Sequence, residues 1–582
     1  MKELFAALRP YFVRERWLFV IGAALLAVTN LSTLATPLLL KAAIDDLGAG
    51  HGVGRLPILV GWIAGLAVFA GALRIGSRFA IFGAGRNVEY RLRNDVFRHL
   101  ERLTPSFFDR VTTGDVMSRV VNDLSSVRMV LGPGLLNALN SVVVYVATLA
   151  AMLTLSPRLT VLTLLPFPLL GLAAKRFVGR LYDKSRESQE RLGALTEAIQ
   201  ENLAGRDVVR AFSLEDAEIG RFDAANQAHF AASIGYIRAQ GVLFPLMATV
   251  GGMGTLLVLV GGGWMVIHSY LSLGALVAFA GYVGMLIWPT FALGWMLSIF
   301  QRGRSAMARI QEILDARPEI AAPAVPEPLP EVGGAIEVRD LTFRYPGAAE
   351  PALEGLSLAI RRGERVAVVG PTGAGKTTLL RLLVRLWDVP PGTVFVDGVD
   401  VTRADPSAVR GRFGLSPQEP FLFSATIREN VELGGVTSGL ERLEGLIRTV
   451  GFAGDLARMP DGFATTVGER GVQLSVGQRQ RLAIARALAP SPQALLLDDP
   501  FSAVDAGTED EILGGLEREL AGKTVVLVTH RLEAIRDVDR IVVLDRGRLV
   551  EDGSYAELVA RDGLFAELLR RGRLERELEA LA

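Results

Sequence analysis

The sequence predicts an α-helical membrane domain of six transmembrane helices with long cytosolic extensions, fused to an α/β domain. Three observations carry this expectation. Half of the 582 residues are hydrophobic and mean hydropathy is +0.34, too apolar for an ordinary soluble chain and incompatible with a disordered one. Composition changes abruptly near residue 316: apolar stretches separated by arginine-rich ones give way to short β-branched runs, glycine turns and amphipathic helices. Between the two regions lies a connector carrying Pro318, Pro323, Pro326, Pro328 and Pro330, which reads as an extended tether or, alternatively, a surface loop of one domain. The expected boundaries are 1–16 for an amphipathic elbow helix, 17–315 for the membrane domain, 316–334 for the linker and 335–582 for the α/β domain.

Charge and cysteine content exclude several classes. Lys plus Arg equals Asp plus Glu, 62 against 62, so no overall attraction to nucleic acid is expected and no nucleic-acid partner. The chain has no Cys, which excludes disulfides, thiol catalysis and cysteine zinc sites.

A bilayer core of about 30 Å needs around 20 apolar residues in a helix. Six stretches qualify: 17–40, 56–79, 135–155, 159–177, 242–267 and 273–299. An even number puts both ends on one side. Arginines crowd 86–128 and 180–210 and include Arg9, Arg14 and Arg16, whereas the opposite loops 41–55, 156–158 and 268–272 are short. Positive residues stay inside, so a multi-pass protein of the cytoplasmic (inner) membrane is expected, with both termini cytosolic and lipid as its surroundings. In the first sixteen residues, Leu4, Phe5, Leu8, Tyr11 and Phe12 recur at helical spacing, as in a helix lying along the interface; a frayed terminus is the alternative. Helical patterns also run on from Gly85 towards Pro105 and over 181–202, so membrane helices are expected to continue into the cytosol.

Within the spans, Arg74 and Arg78 sit near the inner end of the second. They either line a cavity or snorkel to the interface. Asn30, Ser32, Thr33, Asn137, Asn140 and Tyr282 either line a polar route or make interhelical hydrogen bonds.

The second half carries sharper signals. A strand-like run, 365–369, leads into Gly-Pro-Thr-Gly-Ala-Gly-Lys-Thr at 370–377, which fits G-x-x-x-x-G-K-[ST]. The loop residues Gly370, Thr372, Gly373, Ala374 and Gly375 offer backbone N–H groups to phosphates. Lys376 can reach the β- and γ-phosphates, and the Thr377 hydroxyl can hold Mg²⁺. Thr378 continues into a helix whose N-terminus favours anions. Downstream, Ala-Leu-Leu-Leu-Asp-Asp at 494–499 is a buried-strand pattern ending in two carboxylates. It suits Asp498 to Mg²⁺ and the adjacent residue to the attacking water.

With these come Leu474-Ser-Val-Gly-Gln478 and the helix-forming run that follows it. The chain resembles an ATP-binding cassette exporter half-transporter: six spans, then one P-loop nucleotide-binding domain. The run at 474–478 is similar to the family signature LSGGQ, with Val476 in place of the first paired glycine. Ser475, Gly477 and Gln478 remain to bind phosphate in a partner's site. The resemblance implies ATP and Mg²⁺ as ligands and a second half-transporter subunit as partner. It further implies Tyr345 as the aromatic that stacks on adenine, or else a core strand aromatic. Gln418 becomes the loop glutamine reaching Mg²⁺, Asp505 a contact across the cassette dimer and His530 the switch histidine at the γ-phosphate. Segments 107–123 and 205–215 resemble the two cytoplasmic coupling loops, and 466–471 the exporter loop that faces them.

One position departs from the family pattern. Glu normally follows the magnesium Asp; here it is Asp499, one methylene shorter, and general-base geometry tolerates little displacement. Slow hydrolysis at this chain's own site is therefore expected, with a partner chain supplying the Glu and using this chain's signature, as in heterodimeric exporters. A homodimer working with Asp, a lipid flippase and a nucleotide-gated channel are the alternatives. The spans exclude a soluble ATPase. Apolar and aromatic cavity candidates suit hydrophobic or amphipathic drugs, lipids or peptides.

Overall fold

The computed structural model describes residues 2–49, 53–433, 439–501, 506–532 and 535–581. Contacts divide the chain into two units: Met1–Glu101 with Thr113–Asp315, and Arg102–Thr112 with Ala316–Ala582.

The first unit is helical. The opening helix, Lys2–Arg14, buries Leu4 and Leu8, and Phe12 stacks on Phe19 at 4.5 Å. Tyr11 Oη donates to Asp95 at 2.9 Å. This is an amphipathic helix docked by its apolar face rather than a frayed end. Four helical runs are long and apolar enough to cross a bilayer: Arg16–Gly48, Leu56–Leu100, Thr113–Leu155 and Leu273–Asp315. The first two pack intimately at Gly22, where an added Cβ would fall 2.5 Å from Ile81 Cγ1. The expected span 242–267 corresponds in part to a shorter apolar helix, Gly252–Ile267. The expected span 159–177 is interrupted: one helix is Pro157–Leu164 and the next begins at Pro166, consistent with prolines at first-turn positions. The side chains of 167–178 lie outside the described residues. Six spans are thus a count that the described residues support at four places.

Helices do run far beyond a bilayer thickness. Leu56–Leu100 has 45 residues, Pro166–Ala204 has 39 and Glu215–Leu257 has 43, roughly 58 to 68 Å at 1.5 Å per residue. The arginine-rich stretch 86–128 is not simply a solvated face. Buried Glu89 pairs with Arg93 at 2.7 Å, Arg128 at 3.0 Å and Arg86 at 3.5 Å, and Asp123 pairs with Arg309. Tyr282, one of the two-way polar candidates, resolves as an interhelical bond: its hydroxyl donates to the Leu34 carbonyl at 2.9 Å.

The second unit is α/β. Its strands are β1 (Ile336–Phe343), β2 (Leu353–Ile360), β3 (Arg365–Val369), β4 (Val394–Val396), β5 (Val399–Asp400), β6 (Phe413–Ser416), β7 (Ala494–Asp498), β8 (Thr524–Val528), β9 (Arg540–Asp545) and β10 (Arg548–Gly553). A four-stranded antiparallel sheet runs β2-β1-β4-β5, and a six-stranded sheet runs β10-β9-β3-β8-β7-β6. Within the larger sheet β9, β3, β8, β7 and β6 are parallel and β10 is an antiparallel edge. Every residue of β7 and β8 is buried, as their unbroken apolar runs require when both faces of a parallel sheet are covered.

The connector has no helix or strand over 316–334, yet it is not a free tether. Glu327 N–H donates to Arg403 O at 2.9 Å, the Gln493 amide donates to Glu331 O at 2.7 Å, and Gly334 N–H donates to Asp397 at 2.6 Å. Without regular structure its backbone groups still need partners, and side chains and a backbone carbonyl of the α/β unit supply them.

Candidate functional site: the phosphate-loop cavity

Ligand sites of parallel α/β sheets lie beyond the carboxyl ends of the strands, where neighbouring strands diverge. Strands β3, β8, β7 and β6 all deliver candidate residues there. β3 ends at Val369 and passes into the 370–377 loop; β7 ends at Asp498; β8 is followed by Thr529 and His530; β6 is followed by Gln418. A cavity of about 390 Å³ forms between them, lined by Thr372, Gly373, Ala374, Gly375, Lys376, Thr377 and Thr378 of the loop and by Tyr345, Gln418, Asp498, Asp499 and His530.

The loop can form only with glycine at its bends. Gly370 sits at φ +149 and an added Cβ would fall 2.1 Å from Leu544 O; Gly375 sits at φ +96, with Ala352 O 2.5 Å away. Both positions forbid a side chain by backbone conformation and by space. Gly375 caps the helix Lys376–Leu383 in the left-handed conformation, so that helix points its N-terminal N–H groups into the cavity.

Lys376 is buried, and its Nζ donates to the carbonyls of Gly370 at 2.8 Å and Pro371 at 2.9 Å. Burial pushes its pKa down, against the opposing pull of Asp498 and Asp499. The ammonium is thus held by loop carbonyls in a position to exchange them for phosphate oxygens. Thr377 Oγ1 donates to Asp498 Oδ1 at 3.1 Å. Burial raises the Asp498 pKa; the Thr377 hydrogen bond and the Arg381 charge oppose that, and Asp499 adds to it. A hydroxyl and a carboxylate held together, with excess negative charge beside them, fit a divalent cation of oxygen-ligand preference such as Mg²⁺.

Asp499 is buried with φ +47, and its backbone N–H donates to Val528 O at 2.8 Å. Its Oδ1 has no hydrogen-bond partner. An unsatisfied buried carboxylate oxygen is costly, and Asp499 is among the residues that line the cavity. His530 is held below the usual histidine range by partial dehydration and the Lys376 charge.

Tyr345 Oη donates to Thr378 Oγ1 at 3.2 Å. Its ring packs edge-on against Phe343 and Trp387, both at 5.0 Å, which leaves it half-buried at the cavity edge. Trp387 was invisible as a partner in sequence, lying 42 positions on with no motif of its own.

The signature residues are elsewhere. Among the described residues, Ser475, Gly477 and Gln478 do not line this cavity. Ser475 caps the helix Val476–Leu488 in a reciprocal arrangement: Ser475 Oγ accepts from Gln478 N–H at 3.1 Å, and Gln478 Oε1 accepts from Ser475 N–H at 2.8 Å. The Gln478 amide also donates to Asp455 at 2.9 Å, and Asp455 pairs with Arg481 at 2.7 Å. Val476 is half exposed, so the substituted residue of the signature leaves the helix N-terminus open. Asp455 was missed by sequence reasoning; only the i, i+3 spacing of Gln478 and Arg481 hinted at a shared partner. Asp505 lies outside the described residues.

The second unit also contains the short helix Pro105–Arg110. Glu319 of the connector accepts from Ser106 Oγ at 2.5 Å and Thr104 Oγ1 at 3.4 Å, and pairs with Arg110 at 3.5 Å.

Comparison with known proteins agrees with this geometry along the chain. A family model described as ABC transporter transmembrane region matches residues 19–290, and one described as ABC transporter matches 353–502. The multidrug resistance-like ATP-binding protein MdlA of Escherichia coli (strain K12) is 35% identical over 99% of this chain and 98% of its own. The probable multidrug resistance ABC transporter ATP-binding/permease protein YheI of Bacillus subtilis (strain 168) is 33% identical over 94% of both. The ATP-dependent lipid A-core flippase of Syntrophus aciditrophicus (strain SB) is 29% identical over 96% of this chain and 92% of its own. A solved structure of a bacterial Atm1-family ABC exporter with ATP bound superposes with a TM-score of 0.78 at 28% identity, over 97% of this chain and 99% of that one.

Proposed function

Because this chain belongs to the ABC transporter family of exporters, we propose that it is one half of a dimeric pump. ATP drives hydrophobic or amphipathic compounds (drugs, lipids or peptides) outward across the membrane. The chain joins an ATPase domain to a membrane permease of the multidrug and lipid exporter type, and is a multi-pass protein of the inner membrane. We take the membrane half to cross six times, with both termini cytosolic.

The observation that carries the dimer is the half-built cavity. One chain supplies the loop, Asp498, Gln418 and His530, but its Ser475–Gln478 run does not line the same space. A second copy of the fold completes the site by bringing its own capped helix N-terminus to the γ-phosphate. Lys376 and the loop N–H groups hold the phosphates, Tyr345 takes the adenine, and His530 senses the γ-phosphate. Mg²⁺, held by Thr377, Asp498 and Gln418, would neutralise charge between the β- and γ-phosphates. Nucleotide binding then stabilises the closed pair over the open one, and that difference is what tilts the membrane helices.

Asp499 makes this chain's own site the slower one. A chain with Glu at that place, using Ser475–Gln478 of this one, would form the competent site of a heterodimer. Two copies of this chain working with Asp499 form the alternative, and mass measurement of the assembly purified from its native membrane separates the two. The export reading itself is tested in inside-out vesicles. ATP-dependent accumulation of an amphipathic dye, lost in Lys376→Ala, supports it. A passive ion current gated by ATP, without accumulation, would instead identify a channel.

A further inference from the structure

A stacking platform binds a base well only if it is already fixed, because a ring that must be immobilised on binding takes that ordering out of the affinity. The Tyr345 ring is held from three directions. Its hydroxyl donates to Thr378 Oγ1 at 3.2 Å. Phe343 meets it at 5.0 Å and 86°, and Trp387 at 5.0 Å and 90°, the perpendicular geometry that aromatic quadrupoles favour. Trp387 also meets Phe343, at 6.0 Å, so the three rings close on one another. Phe343 ends β1 and belongs to the core of that sheet. Trp387 lies in no helix or strand, and its place has a separate cause.

That cause is the end of the helix Lys376–Leu383, which carries Thr378. Arg385 turns left-handed at φ +49. Its N–H returns to Leu382 O at 2.9 Å, and Leu386 N–H returns to Arg381 O at 3.0 Å. Helix ends of this kind are usually made by glycine. Here the buried Arg385 guanidinium holds the turn, donating to Val401 O at 2.8 Å and to Asp388 at 3.2 Å. The reversal returns Trp387 to Tyr345. One helix thus grips the ring twice, through Thr378 at its head and through Trp387 beyond its tail. Trp387 is only 5% exposed and is not among the residues that line the nucleotide cavity, so it acts through Tyr345. We propose that Trp387 is a positioning residue for the adenine platform: it fixes Tyr345 for stacking, and affinity for the base, but not for the triphosphate, depends on it. This rests on Tyr345 as the adenine contact and adds what holds it there.

The test separates base from phosphate. The purified full-length assembly, in EDTA so that nothing is hydrolysed, is photolabelled with a trace of 2-azido-ATP, and label is counted on this chain. ATP and inorganic tripolyphosphate, which carries no base, compete. With the probe far below saturation, each half-displacing concentration reads the competitor's own affinity. Trp387→Leu and Trp387→Met raise that concentration for ATP about fivefold and leave it unchanged for tripolyphosphate. Trp387→Phe, which keeps a ring, stays within about twofold of the native chain. Tyr345→Ala raises it for ATP roughly twentyfold, and adding Trp387→Leu to Tyr345→Ala changes nothing more, because Trp387 then has no ring to hold. The methionine variant keeps more of the volume and carries the test if the leucine variant does not assemble. ATP binding unchanged in both variants, while Tyr345→Ala weakens it, overturns the proposal alone. Equal loss of ATP and tripolyphosphate, or failure of both variants to assemble, also overturns it, by making Trp387 a support of the fold. ATP binding unchanged in Tyr345→Ala would refute the adenine contact itself.

Discussion

Replacing Asp499 by Glu should speed the site built on this chain, and the structure allows the size of the effect to be worked. A glutamate carboxylate reaches about one ångström further than an aspartate, and a misplacement of that order costs about a hundredfold in rate, or ~2.7 kcal/mol of barrier. The cavity of about 390 Å³ beside residue 499 offers room for the extra methylene, and the backbone bond to Val528 O does not depend on the side chain. Against this stands the left-handed backbone at φ +47, which Asp tolerates better than Glu; the strain is about 1 kcal/mol and falls on stability rather than rate. Asp499→Asn should change turnover at this site less than about threefold, because a carboxylate too short to act as base loses little by becoming an amide. The assay is single-turnover hydrolysis of γ-labelled ATP, in an assembly whose other site is silenced if the partner is a different chain. A hundredfold loss in Asp499→Asn with no gain in Asp499→Glu would refute the reasoning and make Asp499 a working base.

Three further outcomes follow from the same geometry. His530 is depressed below the usual value of about 6.5, and a bound triphosphate raises it. The complex therefore holds more protons than the free protein through that window, and metal-free ATP binds more tightly as pH falls through it. Calorimetry in buffers of different ionisation enthalpy should show proton uptake of up to one per site, absent in His530→Gln. Asp455→Ala removes the shared partner of Gln478 and Arg481. With Arg481 13% and Asp455 20% exposed, the loss should be about 2 kcal/mol, discounted from the range for fully buried pairs, and is read as a lowered unfolding midpoint together with lowered ATPase. Asp455→Asn, which keeps an acceptor for Gln478, should recover the ATPase. Glu319→Ala frees Ser106 and Arg110; the expected result is near-normal ATPase with fewer substrate molecules moved per ATP, and unchanged coupling would show the contact to be inert.

Where local chemistry dictates geometry, the sequence was readable. The phosphate loop declares itself because only glycine tolerates the backbone of Gly370 and Gly375, and β7 because a doubly covered strand must be apolar throughout. The order of motifs also brought Gln418, Asp498 and His530 to one cavity, since each closes a parallel strand of the same sheet. What stayed hidden depends on distant partners. Trp387 beside Tyr345, Asp455 beneath the signature helix and Glu319 on Ser106 each lie far along the chain from what they hold, and their residue types are ordinary. The apolar stretch 159–177 reads as one span by composition, but Pro157 and Pro166 start separate helices, and hydropathy averages over such breaks. Polar residues in the spans were ambiguous for a similar reason. Whether Tyr282 bonds a backbone carbonyl or Arg74 lines a cavity is decided by neighbouring helices.

The central claim is that bound nucleotide is clasped between the loop of one chain and the signature helix of another. The absence of Cys from the sequence makes Val476→Cys the one thiol of this chain, which is labelled before it is assembled with its partner, and Val476 is half exposed at the head of that helix. A benzophenone attached there and illuminated in the purified native assembly should yield a doubled-mass adduct with ATP and Mg²⁺. Mass spectrometry should locate the link at the partner's phosphate loop, and illumination begun only after the ATP is hydrolysed should give far less adduct. An adduct formed equally without nucleotide, or none at all under saturating ATP, would contradict the account.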